Sequence, residues 1–182
     1  MSAGTLDKLV DSVDEALADV TDGASIMVGG FGGPGYPAAL LRGLVAKRPR
    51  RLHIICNNAD FGGLVYEDGL RKLTCSYPVG PTANVVVAAV ERGEVELEVV
   101  PQGTLTERIR AGGAGLGGVL TPTGVDAEFG AGYDVIERDG RRYLIAPPLR
   151  ADFAFIGATA ADRWGNLVFR HAARNFNPLM AM

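Results

Sequence analysis

The sequence predicts an α/β protein: an open, mostly parallel sheet with helices on both faces and a β-hairpin insertion. Three observations carry that prediction. Short apolar runs alternate with helix-patterned segments from Ser25 to about Arg110, the signature of repeated βα units. The first run, Ile26 to Val28, stops at a turn built from Gly29, Gly30, Gly32, Gly33, Pro34 and Gly35. Later, Asp139-Gly140 sits between the strand-like runs Tyr133 to Ile136 and Arg142 to Ile145, which reads as a two-residue hairpin. With 182 residues, 47% of them hydrophobic, the chain can enclose one sizeable core, and residues 1–182 read as a single domain.

The elements follow in order. Leu6, Leu9, Val10, Val13, Ala16, Leu17 and Val20 recur at helical spacing and predict an amphipathic helix over Thr5 to Val20, ended by Asp22-Gly23. After the glycine turn, Pro37 opens a helix to about Lys47 that should bury Leu40, Leu41, Leu44 and Val45. Leu52 to Cys56 is a second strand ending at Asn57-Asn58. The segment Ala59 to Gly69 reads as a loop with a helical turn in it, and Lys72 to Cys75 as a third strand. Thr82 to Arg92 is helical, with Val85, Val86, Ala89 and Val90 on one face. Val95 to Val100 alternates valine and leucine with glutamate, as a strand exposed on one side does. Thr104 and Glu107 match a T-x-x-E capping box, which predicts a helix from there to about Arg110. Five glycines between Ala111 and Gly118 argue against regular structure. Phe153 to Ile156 is a buried strand, Trp164-Gly165-Asn166 a turn, and Asn177-Pro178 an N-cap with first-turn proline. The five residues from Pro178 to Met182 are too few for a helix to stand alone, so another surface holds this tail or the sequence is cut short.

Composition narrows the function. A net charge of −3 and no basic run beyond Arg48-Pro49-Arg50-Arg51 argue against nucleic acid. No apolar stretch is long enough to span a membrane and no secretory signal opens the chain. Cys56 and Cys75 read as free buried thiols, which fits the cytoplasm. His53 reads as a packed core histidine and His171 as exposed, and these scattered ligands lack zinc-site spacing. Ser25 and Ser76 have no nucleophile elbow, and the glutamates sit on helix or strand surfaces.

In open α/β sheets the ligand sits beyond the carboxyl ends of the strands. This chain puts there the Gly29 to Gly35 turn, Asn57, Asn58 and Gln102. A strand, a glycine turn and a helix start can aim backbone N–H groups at an anion. Amide side chains donate and accept hydrogen bonds but cannot attack a carbon or titrate near neutrality. Such a site stabilises charge and lacks a nucleophile. Gly30, Gly32 and Gly35 also satisfy G-x-G-x-x-G, so a dinucleotide-binding oxidoreductase is an alternative. The ribose-binding acid that it requires is replaced by Asn57 and Asn58, with Asp60 late and in a loop. A non-catalytic interaction module of the same fold is a further alternative.

The run GGFGGPGYP, with Asp22-Gly23 before it, resembles the first signature of family I coenzyme A transferases. The resemblance extends almost end to end, through Cys56-Asn57-Asn58, EVVPQGTL (98–105), ERIRAGGAGLGG (107–118), LTPTG (120–124), DRWGNL (162–167) and ARNFNP (173–178). It is to the A (alpha) subunits, and among them to those acting on 3-oxoacids such as 3-oxoadipate. It implies a CoA-transferase-like fold and a transferase that moves coenzyme A from succinyl-CoA to a 3-oxoacid. A glutamate on a separate B subunit would attack the thioester, since its serine-glutamate-asparagine-glycine motif is absent here. The implied assembly is a heterotetramer in which Gln102, Asn57 and Asn58 are catalytic amide donors. Gly29, Gly30, Phe31, Gly32, Gly33 and Gly35 would lie against the thioester. No permanently bound cofactor or metal is implied; the coenzyme A thioester is a substrate. Two departures stand out: Pro34-Gly35-Tyr36 replaces smaller or apolar residues, and family A subunits continue past the equivalent of Met182.

Overall fold

The computed structural model describes residues 7–66 and 68–182. In chain order the elements are α1 (Val13–Ala16), β1 (Ser25–Val28), α2 (Ala38–Lys47), β2 (Leu52–Asn58), β3 (Leu70–Tyr77), α3 (Ala83–Glu91), β4 (Glu96–Val99), α4 (Gln102–Gly113), β5 (Val119–Thr121), β6 (Val135–Arg138), β7 (Arg141–Ala146), β8 (Phe153–Phe155), β9 (Ala160–Ala161), β10 (Leu167–Val168) and α5 (Asn177–Met180). Short 3₁₀ turns occupy Gly62–Leu64, Glu128–Gly132 and His171–Ala173.

The main sheet has the order β4-β3-β2-β1-β8, with every neighbouring pair parallel. All five carboxyl ends therefore share one edge. Because side chains alternate across a strand, Ile26, Val28, Ile54, Cys56, Leu73 and Cys75 face one side. There they form a core with Leu17, Leu44, Val86 and Ala89 from α1, α2, α3 and their flanks. Met27 and Ile55 face the other side and pack with Leu105 and Ile109 of α4 and Met180 of α5. Helices on both faces of a parallel sheet are thus observed. The hairpin is observed too: Asp139 and Gly140 take φ of 52° and 69°, the left-handed pair that a type I′ turn needs. Strand β5 adds to it, giving the order β5-β7-β6. Another small antiparallel pair, β9 and β10, flanks the Trp164-Gly165-Asn166 turn.

Several boundaries differ from expectation, each for a local reason. Among the described residues the first helix is one turn long; Thr5 and Leu6 lie outside them. It starts late because the Ser12 side chain accepts from Glu15 N, while Asp11 N donates to the Glu15 carboxylate. Upstream, Lys8 N donates to Arg163 O, holding this segment against the Trp164 turn. In α2 only Leu44 is fully buried, and Val45 is exposed; in α3 Val85 is exposed while Ala83, Val86 and Ala89 are buried. Helix α4 begins two residues before the expected capping box. Thr104 is 4% exposed and its Oγ1 has no partner, and Glu107 pairs with Arg110 instead of reaching back. The helix also runs into the glycine-rich stretch. A Cβ at Gly112 would stand 1.9 Å from Leu149 O, so glycine there permits close packing of helix on backbone. Asn177 is not an N-cap: Phe176 precedes the helix and the Asn177 side chain is fully buried. The short tail is held by its surroundings, with Met180 at 1% exposure.

A polar network lies where α4 covers β2, β3 and β4. Glu98 Oε1 accepts from Arg108 Nη1 at 2.7 Å, and its Oε2 accepts from Thr74 Oγ1 and Lys72 Nζ at 3.0 Å. The Thr74 hydroxyl spends its proton on Glu98, so it accepts from His53 Nε2 at 2.9 Å, which fixes the ring as the Nε2–H tautomer. Glu98 is therefore less solvated than a strand-surface acid. Burial pushes its carboxyl up, but the Arg108 and Lys72 hydrogen bonds outweigh this and hold it at about 2. Burial, then the Lys72 and Arg71 charges, depress His53 to about 4.

The pH dependence follows from these directions. The folded His53 refuses a proton that the unfolded chain takes up below about 6.5. Its contribution is complete above that pH and lost as pH falls through about 4. Glu98 contributes fully above its ordinary 4.5 and loses this as pH falls through about 2. Urea midpoints should drop between pH 7 and pH 4, and drop less for His53→Gln; equal slopes would remove His53 as a source of acid sensitivity.

Candidate active site

The carboxyl edge of the sheet gathers the residues that the sequence singles out. β1 ends at the glycine turn, β2 ends at Asn57 and Asn58, and β4 leads through Val100-Pro101 into Gln102 at the start of α4. Gln102 Nε2 donates to Asn57 Oδ1 at 2.7 Å, and Asn57 Nδ2 donates to Asn58 Oδ1 at 2.6 Å. Gly32 N donates to the same Asn58 oxygen at 3.2 Å. One hydrogen-bonded chain thus joins three amides and the glycine turn across positions up to 70 residues apart (102 − 32).

Each amide is held differently. Asn57 is 1% exposed and needs its partners, since an unpaired buried amide costs about 1–3 kcal/mol. Gln102 is exposed, and its backbone carbonyl accepts from Thr106 Oγ1 at 2.9 Å. The chain leaves one Nε2 proton of Gln102 and the Nδ2 group of Asn58 uncommitted among the described residues. Within the turn, Phe31 N and Tyr36 N donate to Pro34 O and Gly33 O. The N–H groups of Gly30, Gly33 and Gly35 have no such partner among the described residues. The exposed Phe31 ring stacks on Phe176 at 6.3 Å and 14°.

Nothing at this edge can attack a carbonyl carbon. Burial pushes the Cys56 thiol well above its ordinary range and Cys75 up to about 11, so neither is a thiolate. Burial likewise raises the Tyr36 phenol, which stays a neutral donor, 3.5 Å from Asn58 O. Asp60 accepts from Thr82 N and Oγ1 at the start of α3 and serves that loop. Among the described residues no three His, Cys, Asp or Glu side chains are grouped to hold a metal ion.

The supports of the turn were not legible as functional residues. Asn177 Oδ1 accepts from Gly157 N at 2.8 Å, while its Nδ2 donates to Gly35 O at 3.0 Å and Ala173 O at 2.9 Å. Asn175 Nδ2 donates to Pro34 O at 2.9 Å. A Cβ at Gly29 would stand 1.9 Å from Asn177 Oδ1, so this turn and this asparagine are fitted to one another. Ser76 Oγ, beside Asn57 in the β2–β3 register, is buried without a partner.

A family model described as coenzyme A transferase matches residues 10–182. The chain belongs to the coenzyme A transferase family. The transferase is 46% identical over 182 residues to the alpha chain of the Pseudomonas putida 3-oxoadipate CoA-transferase, covering 97% of this chain and 79% of that one. It is 39% identical to the corresponding chain of the succinyl-CoA:3-ketoacid coenzyme A transferase of Helicobacter pylori strain J99, over 97% of this chain and 78% of that one. An acyl-CoA transferase from E. coli O157:H7, solved as a thioester complex with CoA, superposes with a TM-score of 0.79 at 24% identity. The match covers 88% of this chain and 36% of that one, and it establishes the α/β fold. No described helix of this transferase is long and apolar enough to cross a membrane.

Proposed function

We propose that this chain is the non-nucleophilic alpha chain of a 3-oxoacid CoA-transferase. In this reading coenzyme A passes from succinyl-CoA to a 3-oxoacid, 3-oxoadipate being the best-supported acceptor, in the cytoplasm. The observation that carries it is the Gln102–Asn57–Asn58–Gly32 chain, a row of neutral donors at a sheet edge without an attacking group. The relatives are alpha chains, and a beta chain would bring the glutamate.

The roles follow from what each group can do. The partner's carboxylate attacks the thioester carbonyl carbon, and negative charge gathers on the carbonyl oxygen. The free proton of Gln102 Nε2 meets that oxygen, while Asn57 holds the amide in orientation. Asn58 and the open N–H groups of Gly30, Gly33 and Gly35 cradle the acyl end, with Gly29 and Phe31 shaping the wall. Expulsion of the thiolate leaves an acyl anhydride with the glutamate, and the returning thiolate resolves it to a glutamyl-CoA thioester and the free acid. The second acid then reverses the sequence, which makes the kinetics ping-pong.

Purified alone, the chain should show no thioester exchange. Co-expressed with a candidate beta chain it should transfer coenzyme A from succinyl-CoA to 3-oxoadipate. Absence of exchange at every ratio of the two chains would overturn the reading.

A further inference from the structure

Beside Gln102 lies a cleft of about 540 Å³, walled by Gly103, Thr104 and Thr106 of α4 and by Leu120 and Thr121 of β5. Two independent features of this cleft are unexplained by the amide chain. The first is the start of α4. Pro101 offers no side-chain cap, and the opening N–H groups of a helix have no intrahelical acceptor. Nothing covers this end at Gly103, where an added Cβ would meet no atom within 4 Å. The second is Thr104, which lines the cleft, is 4% exposed, and keeps a buried Oγ1 without a partner. A hydroxyl left unpaired out of water costs about 1–3 kcal/mol, so its retention calls for an acceptor that arrives from elsewhere.

We infer that the first turn of α4 and the Thr104 hydroxyl form a subsite for the distal carboxylate of a dicarboxylic acyl group; this rests on the transferase reading above. Free N–H groups at a helix start favour negative charge, and a hydroxyl adds one directional donor. The charged neighbours do not oppose this. Glu107 and Arg110 both line the cleft but are paired, with Arg110 Nε 2.9 Å from Glu107 Oε2. Thr106 already donates to Gln102 O, which leaves Thr104 as the free hydroxyl. The spacing suits the chemistry. Gln102 and Thr104 are two positions apart on one helix, a rise of about 3 Å. Gln102 therefore serves the reacting carbonyl while the same turn reads the far end of the acyl chain. Succinyl and 3-oxoadipyl groups both carry such a second carboxylate, and an acetoacetyl group does not. The subsite separates dicarboxylic from monocarboxylic partners.

The test uses the assembled two-chain enzyme with succinyl-CoA as donor. It measures the ratio of kcat/KM for 3-oxoadipate to that for acetoacetate. Thr104→Val keeps the shape and removes the donor; the ratio should fall about ten-fold, as for loss of a hydrogen bond to a charged group. Gly103→Asp tests the same subsite without threatening the fold, because an acid in the first turn stabilises a helix. Its charge should repel the incoming carboxylate and lower the ratio at least as far, with the thermal midpoint retained. Exchange that persists with the ratio unchanged in both variants would overturn this inference and leave the transferase reading standing. Loss of exchange with every acid in the unmodified enzyme would overturn both.

Discussion

Replacing Gln102 with alanine should leave the two chains assembled and lower kcat by about 10²–10³, as loss of one preorganised oxyanion donor does. Gln102 is exposed at the first position of α4, so truncation opens no cavity, and the helix retains its packing through Leu105 and Ile109. What is lost is a donor already aimed. Its Nε2 is fixed by the 2.7 Å bond to Asn57 Oδ1, so little reorganisation is needed when charge develops. A donor that acts only on the developing oxyanion lowers kcat and kcat/KM together and leaves KM near its starting value. Steady-state kinetics on the assembled variant decide it, with sedimentation to confirm assembly. An unchanged kcat would remove Gln102 from the mechanism; a raised KM with kcat retained would make it a binding residue.

The strands, the glycine turn and the three amides were legible because each is written locally. Apolar runs of four to seven residues mark buried parallel strands, and a carboxyl end followed by glycine or asparagine marks the edge where ligands bind. What was not legible depends on partners far along the chain. T-x-x-E at Thr104 and Glu107 matches a capping box in sequence. In the fold, Pro101 sets the start of α4, and Thr104 turns inward against the β5 side of the cleft. Gly112 looks like a flexible residue until Leu149 O is brought beside it. Asn177 looks like a helix cap, since asparagine before proline is a common cap. Its real partners, Gly35 and Gly157, are 142 and 20 positions away. The same distance hides Glu98, whose alternation with valine and leucine reads as a solvated face until Arg108 and Lys72 close over it.

That asparagine gives the second large effect, on stability. Asn177→Ala should destabilise the chain by at least about 3 kcal/mol, because it strands the Gly157 N–H and the Gly35 and Ala173 carbonyls out of water at about 1–3 kcal/mol each. For a chain of 182 residues this is a fall in Tm of roughly 6–12 °C, readable by calorimetry. Gly29→Ala should be comparably harmful for a different reason. Its Cβ would overlap Asn177 Oδ1 at 1.9 Å, and Asn177 cannot retreat without breaking its bonds to Gly157 and Gly35. The two substitutions should therefore be strongly non-additive. Once the side chain at 177 is cut back, the overlap that makes Gly29→Ala costly is gone, and the double variant should be little worse than Asn177→Ala alone. Two independent penalties that simply add would show that the clash at Gly29 is relieved elsewhere. The glycine turn would then be free of Asn177, and its shape would have to be set by the Asn58 bond to Gly32 and the Asn175 bond to Pro34.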